Sequence, residues 1–266
     1  MEAAAKGQVI RSAAEIYDEF FVPSLFEQWA APVTKAANIV SGQTVLDVAC
    51  GTGALAREAK GKVGPDGAVT GLDVNEGMLA VAKDKAPAIT WRTGAAEALP
   101  FDDASFDAVV SQFGLMFFED RQAALKEMWR VLRPGGHLAV AVWDRLETSP
   151  GYAAMVALLR RLFGEEAANA LYAPYCLGET GPLLELFKEA GMSDAQVQTE
   201  VGKAQFPSLQ DWVRTDVKGW TLADLIDDDQ YALLQKEAQT ALAEFVQADG
   251  SVTFDAPAHI VTAAKA

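Results

Sequence analysis

The chain reads as an α/β protein built on a doubly wound, largely parallel sheet, with a helical N-terminal extension and helical insertions in its second half. Three observations carry that reading. Short apolar runs alternate with helical stretches between residues 44 and 143, which is the rhythm of βαβ units. A glycine turn, Gly51-Thr52-Gly53, follows the first run, where a strand hands over to a helix. Over 266 residues, 50% are hydrophobic and 22% charged, a globular composition that sets aside disordered, collagen-like and disulfide-scaffold classes.

The elements follow in order. From 8 to 37 the residues Val9, Ile16, Phe20, Phe21, Leu25, Phe26 and Trp29 recur at helical spacing, with Pro23 as a break. Strands are expected at 44–49, 68–74, 89–93, 106–112 and 136–143, and helices at 53–60, 76–85 and 121–132. Beyond Trp143 the alternation stops. Helices are expected at 151–163, 165–172 and 181–190, a strand at 195–201, helical blocks at 209–226 and 230–247, and a last strand at 252–263. The acidic run Asp227-Asp228-Asp229 reads as a solvated helix start. The organisation implied is an extension over 1–40, an α/β core over 41–145 that would bind a cofactor, a helical lid with one returning strand over 146–250, and a final sheet strand over 251–266. The opening EAAAK matches the unit of semi-rigid helical linkers, so part of it need not be native.

The charge narrows the partners. With 22 Lys and Arg against 37 Asp and Glu the net charge is −15, which repels phosphate backbones and argues against nucleic acid. The apolar stretch of interest, 138–143, is far short of the ~20 residues of a membrane span. Two distant cysteines, Cys50 and Cys176, support neither a disulfide framework nor a metal site, and no secretory signal is seen. A cytoplasmic protein acting on a small molecule is the expectation, as monomer or homodimer.

Gly51-Thr52-Gly53-Ala54-Leu55-Ala56 fits a dinucleotide fingerprint, and Asp73 lies 20 residues beyond Gly53, where an acid would hold a ribose. Asp47 discriminates. It sits near the carboxyl end of an otherwise apolar strand, where an unpaired carboxylate is costly and a pyrophosphate would be repelled. A ligand with an ammonium group and a ribose but no phosphate would gain from it, and S-adenosylmethionine is such a ligand; a plain cap for the glycine turn is the other reading of Asp47.

The segments LDVACGTG, VTGLDVNEGMLAVAK, GAAEALPFDDASFDAVVSQFG and LRPGGHLAVAVW, in that order and spacing over about residues 40 to 145, resemble the successive motifs of class I S-adenosylmethionine-dependent methyltransferases. They are most similar to the ubiquinone and menaquinone methyltransferase-like branch, which acts on small molecules. The resemblance implies a Rossmann-like methyltransferase sheet and S-adenosyl-L-methionine as cofactor. It implies that Asp47 with the Ala49 and Gly51 backbone meets the methionine end, with Gly53 in the same turn, and that Asp73 accepts both ribose hydroxyls. Met78 would cover the adenine, with Val74 beside it. Where the family has Asp, this chain has Ala95, so the adenine would be read by the N–H groups of Ala95 and Ala96. Tyr17 would reach over the cofactor from the N-terminal helix.

Methyl transfer from a sulfonium needs alignment, not a covalent residue. Gln112 and Phe113, where the fourth strand ends, are the candidates for lining the transfer zone, with Tyr17 a third. His137 and His259 read as structural, so any base would be a carboxylate, a tyrosine or the acceptor itself. Trp143, Tyr175, Trp212 and Trp220 are candidate lining residues of an apolar acceptor pocket under the helical blocks. The expected activity is O- or C-methylation of a small, largely apolar molecule. The alternatives are a cofactor-binding protein of this fold with a non-methylating role and a dinucleotide-dependent oxidoreductase.

Overall fold

The computed structural model describes residues 11–218, 222 and 225–266. A seven-stranded sheet organises them: β1 (Thr44–Val48), β2 (Ala68–Asp73), β3 (Thr90–Thr93), β4 (Phe106–Gln112), β5 (Leu132–Trp143), β6 (Gln196–Phe206) and β7 (Val252–Ala264). Their spatial order is β3-β2-β1-β4-β5-β7-β6. Strands β1 to β5 are parallel, and β7 runs antiparallel between β5 and β6. The α/β expectation is borne out. The strand order reverses between β1 and β4, and in open parallel sheets the crevice outside the carboxyl ends at such a reversal is where ligands sit.

The crossover helices are α3 (Ala54–Val63), α4 (Glu76–Lys85) and α5 (Arg121–Val131). Local chemistry starts each one. Gly53 opens α3 at φ +83°, Asn75 caps α4 by accepting from the Met78 N–H at 3.1 Å, and Asp120 caps α5 by accepting from the Ala123 N–H at 2.9 Å. The chain end is tied back to the core by Lys265, whose Nζ donates to the carbonyls of Trp129 and Leu132 at 2.6 and 2.7 Å.

The N-terminal segment differs from the expected helix with a break. Helix α1 (Arg11–Ile16) continues through Pro23 as wide π-helical turns over Tyr17–Phe26, then a 3₁₀ turn over Glu27–Trp29 and α2 (Ala30–Ala36). Proline lacks the N–H that an α-turn would use, and the widened turn carries the chain past it. Strand β6 outlasts the expected 195–201. Beyond Gly202 it stays paired with β7 as far as Phe206, and on its open edge Gln28 donates to the Lys203 carbonyl at 2.6 Å and accepts from the Lys203 N–H at 2.8 Å. Trp29 packs so closely there that a Cβ on Gly202 would fall 2.5 Å from its ring.

Within 146–250, helices α6 (Pro150–Phe163), α7 (Glu165–Tyr172), α9 (Leu209–Lys218) and α10 (Asp228–Ala241) pack together, whereas α8 (Thr180–Glu189) lies against α5 and β6. Asp227 begins α10 in a capping box with Gln230, as the acidic run suggested. Helix α10 ends earlier than the block read from sequence, and Trp220, with most of the block beyond Lys218, lies outside the described residues. The group sits on the part of β7 that projects past the end of β5, with Gly151 tight against Phe254.

Trp91 on β3 shows how tightly the sheet is covered. A Cβ on Gly71 would meet the Trp91 ring at 2.4 Å and Cys50 Sγ at 2.9 Å. Gly71→Ala is therefore expected to lower stability by about 1–3 kcal/mol. Adding Trp91→Leu should recover most of that loss. Urea unfolding of the two variants measures both effects.

Candidate cofactor site

The crevice begins where β1 stops. Ala49, Gly51 and Gly53 all have positive φ, at +57°, +54° and +83°, so the chain makes a left-handed coil before α3. For Ala49 that conformation costs roughly 1–2 kcal/mol. Phe113, just past β4, is also left-handed at φ +57°. The two strand ends interlock at Gly114, where a Cβ would lie 2.6 Å from the Ala49 methyl. Strained positions of this kind persist only where the surroundings over-determine them, and they cluster at sites.

Around this turn is a cavity of about 40 Å³ lined by Tyr17, Val22, Phe26, Asp47, Ala49, Cys50, Gly51, Thr52, Ala54, Leu55 and Gln112. Three of its polar groups are incomplete. Both oxygens of Asp47, Oγ1 of Thr52 and Oε1 of Gln112 are buried without a hydrogen-bond partner. Asp47 is 1% exposed. Burial, reinforced by the Asp73 carboxylate, lifts the Asp47 carboxyl well above its usual range; the Ala56 N–H and Arg57 pull the other way without closing a hydrogen bond on it. The Gln112 amide is oriented by donating to the Phe26 carbonyl at 3.0 Å.

Asp73, at the end of β2, is the opposite case. Its Oδ2 accepts from the Gly51 N–H and its Oδ1 from the Asn75 N–H, both at 2.8 Å. Burial still raises this carboxyl, with those N–H groups opposing. It braces the glycine turn while keeping acceptor capacity for a further donor. Burial and the nearby Asp73 and Asp18 hold the Tyr17 phenol protonated, and burial pushes the Cys50 thiol up.

Of the residues singled out in the sequence, Tyr17, Asp47, Ala49, Gly51 and Gln112 meet around the cavity, and Asp73 joins through Gly51. Gly53 lies beneath, where a Cβ would strike Trp91 at 2.3 Å, so packing as well as dihedral angle demands glycine there. Val74, Met78, Ala95 and Ala96 follow the ends of β2 and β3 and do not line the cavity. Phe113 turns away and stacks on Trp143. Trp212 is no lining residue: it is fully buried among Tyr152, Phe206, Phe245 and Phe254. Trp143 and Tyr175 belong to a pile of rings behind the crevice. Sequence reasoning passed over Thr52, although its place between the two glycines was a signal. Val22 and Phe26 arrive from a distant segment that no local pattern ties to the crevice.

The fold and this crevice define a Rossmann-like, S-adenosylmethionine-dependent methyltransferase. The model of the ubiE/COQ5 methyltransferase family matches residues 4–163, and the chain belongs to that family. It is 34% identical over 212 residues to demethylmenaquinone methyltransferase of Staphylococcus aureus, covering 73% of this chain and 88% of that relative. Among solved structures, phosphoethanolamine N-methyltransferase 2 of Haemonchus contortus, crystallised with S-adenosylhomocysteine, superposes with a TM-score of 0.60 at 20% identity. That match covers 96% of this chain and 57% of the other. The YcgJ protein of Bacillus subtilis superposes with a TM-score of 0.60 at 17% identity, covering 90% of this chain and 99% of the other. No described helix is long and apolar enough to cross a membrane.

The residues fit the cofactor, because a buried carboxylate with two unpartnered oxygens is what an ammonium group can complete. Asp47 has a raised folded pKa, so the native state holds more protons than the unfolded chain. Its contribution to stability is then most favourable near pH 4 and is lost as pH rises through the folded value. Asp47→Asn should raise the melting temperature of the ligand-free protein at pH 8 by roughly 2–4 °C, with the difference shrinking toward pH 4. The same variant should lose S-adenosylhomocysteine binding by calorimetry. A lower melting temperature at pH 8 would show that the carboxylate is satisfied in the native protein.

Proposed function

We propose that this enzyme methylates oxygen or carbon of a small, largely apolar acceptor by direct displacement. The observation that carries the reading is Asp47, buried and unpartnered at the sheet's reversal point, in a chain whose S. aureus relative is a demethylmenaquinone methyltransferase. When bound, S-adenosyl-L-methionine supplies an electrophilic methyl group. Asp47 and the backbone of Ala49, Gly51 and Gly53 hold its amino-acid end, with Thr52 as a further donor. Asp73 takes the ribose hydroxyls, Val74 and Met78 flank the adenine, and the N–H groups of Ala95 and Ala96 read its edge. The family's carboxylate at Ala95 is missing, which costs about 0.5–1.5 kcal/mol for the one hydrogen bond. The net charge of −15 argues against nucleic acid, and a cytoplasmic setting accords with two unpaired cysteines.

What these residues do is align and desolvate. Holding two reactants as a near-attack pair is worth ~7–11 kcal/mol. Tyr17 is kept protonated, so it donates hydrogen bonds instead of taking protons. Gln112, fixed by Phe26, turns its free Oε1 toward the transfer zone. Neither histidine lines the cavity. His137 stands midway along β5, where its pairing with β7 begins opposite Ala264. His259 is buried by Asp144 at 3.1 Å, the Gly178 carbonyl at 2.9 Å and Thr199 at 2.8 Å.

Methyl-labelled cofactor incubated with reduced demethylmenaquinone should yield labelled quinol, and an unlabelled product would refute the acceptor class. Asp73→Ala should weaken S-adenosylhomocysteine by at least about tenfold, since it removes a charged acceptor. Unchanged affinity would sink the site. His137→Asn and His259→Asn should keep kcat within about fivefold, against the 10²–10⁴ that a proton-transferring histidine contributes. His259→Asn should lose thermal stability instead, because its three partners are left open. Steady-state rates and melting curves on the same preparations separate the two effects.

A further inference from the structure

The sheet has two outer strands, and they are built differently. At one end stands β3, four residues long; at the other stands β6, with eleven. An outer strand presents unpaired N–H and C=O groups, which proteins guard with short strands, Lys, Pro or bulges. The length of β3 is its guard. Strand β6 has none between Gln196 and Gly202: that stretch holds neither Lys nor Pro, and it pairs with β7 residue for residue without a bulge. Its single charge is Glu200.

Gln28 shows how far this edge is open. It bonds both the N–H and the carbonyl of Lys203, so the Lys203 backbone points away from β7. Backbone direction alternates along a strand, so Val197, Thr199 and Val201 point theirs the same way. No described residue bonds to the backbone of those three on that side. The edge is thus open up to Val201 and closed by Gln28 at Lys203. Among the described large apolar side chains Val201 is the most exposed, at 67%. A lone exposed valine is ordinary, but this one stands on the unguarded edge itself.

We propose that β6 pairs antiparallel with β6 of a second copy of this chain, about a two-fold axis at Thr199, so that the two sheets become one. Outward backbones can bond only to outward backbones, which leaves a short set of registers. Thr199 opposite its own copy sets Val201 against Val197 and Glu200 against Gln198, so valines meet and no like charges face each other. An axis at Glu200 would set that carboxylate against itself and drive Val197 onto Lys203, where Gln28 already holds the edge. An axis at Gln198 would leave Val201 facing Ala195, beyond the end of β6. Charge points to the same stretch. At −15 per chain two copies repel, and Gln196 to Thr199 offers them an uncharged meeting place. The contact is also closed, because it consumes β6 of both copies and leaves only the short β3 strands at the outer ends.

Sedimentation velocity of the full chain should show a monomer–dimer equilibrium within about 5–500 μM, since an edge contact of this length belongs to the small, weak interfaces. Val201→Lys should weaken the dimer at least about tenfold, as an edge lysine does. Val201→Pro should act alike by removing the outward N–H, a change that outer strands accept. Val40→Lys, at a valine 53% exposed elsewhere, should leave the equilibrium unchanged. Melting temperature and S-adenosylhomocysteine binding within error of the wild type show that each variant is folded. Cysteines read the register. With the exposed Cys176 replaced by Ser, Thr199→Cys should cross-link two chains under mild oxidation, because Cα atoms opposite each other at ~5.5 Å suit a disulfide. Glu200→Cys, opposite Gln198, should not. A wild type that stays monomeric at about 500 μM overturns the proposal and leaves the edge to a strand of another protein. A dimer that survives both Val201 variants, or that cross-links through Glu200→Cys in preference to Thr199→Cys, overturns it as well.

Discussion

Burying a polar group without a hydrogen bond costs roughly 2–7 kcal/mol, and a charge costs more. Asp47 is kept in that condition at the end of the sheet's innermost parallel pairings, flanked by β2 and β4. Much of the surrounding structure can be understood as what makes this tolerable. Burial raises the carboxyl, so the ligand-free protein can hold it neutral. The neighbouring acid, Asp73, is satisfied by backbone N–H groups from both sides, which ties β2 to the glycine turn. Two carboxylates thus share a crevice with divided work. Asp73 braces the turn while keeping acceptor capacity, and Asp47 has neither oxygen partnered.

The rigidity of the turn follows from the same arrangement. Three left-handed residues in five, one of them alanine, are not a conformation that a loop would choose. They are fixed by Gly114 against Ala49, by Trp91 against Gly53 and by Asp73 on Gly51. The turn is therefore a preorganised surface, on which a ligand would lose little ordering entropy of the protein.

The legible parts were those with local cause. Strands β1, β2, β4 and β5 are buried on both faces, so they read as apolar runs. The caps of α4 and α10 and the Gly51-Thr52-Gly53 turn carry their chemistry in consecutive residues. What stayed hidden is long-range. Strand β6 is an edge strand with alternating exposure, and its Thr-Glu-Val-Gly-Lys stretch looks like a strand that stops at glycine. Pairing with β7 carries it on to Phe206, and Gln28 and Trp29, some 170 residues earlier in the chain, hold it from the other side. Trp212 reads as a pocket aromatic until β7 brings Phe254 against it at 4.7 Å. The Phe113, Trp143, Tyr175 and Tyr152 run joins four separate stretches of chain, and no spacing rule connects them.

The same division separates what receives the cofactor from what must yield to it. A cavity of about 40 Å³ holds about a water molecule, whose share of liquid volume is ~30 Å³, whereas drug-sized ligands occupy sites of ~300–1,000 Å³. The floor cannot give way, because it is sheet and strained turn. The roof is Tyr17, Val22 and Phe26 of the π-helical segment, tied to the rest by the ion pair of Asp18 with Lys85 and by the Gln112 bond to the Phe26 carbonyl. Lys85 is half-exposed but Asp18 is buried, so the pair compensates a carboxylate that would otherwise stand alone, and a segment threaded through Pro23 lacks one of its own helix bonds. The next attachment, the pair of hydrogen bonds between Gln28 and the Lys203 backbone, lies just beyond the segment and anchors its base. The turn and the sheet are therefore the fixed side of this crevice, and the Gln112 bond to the Phe26 carbonyl ties the end of β4 to the π-helical segment on its other side.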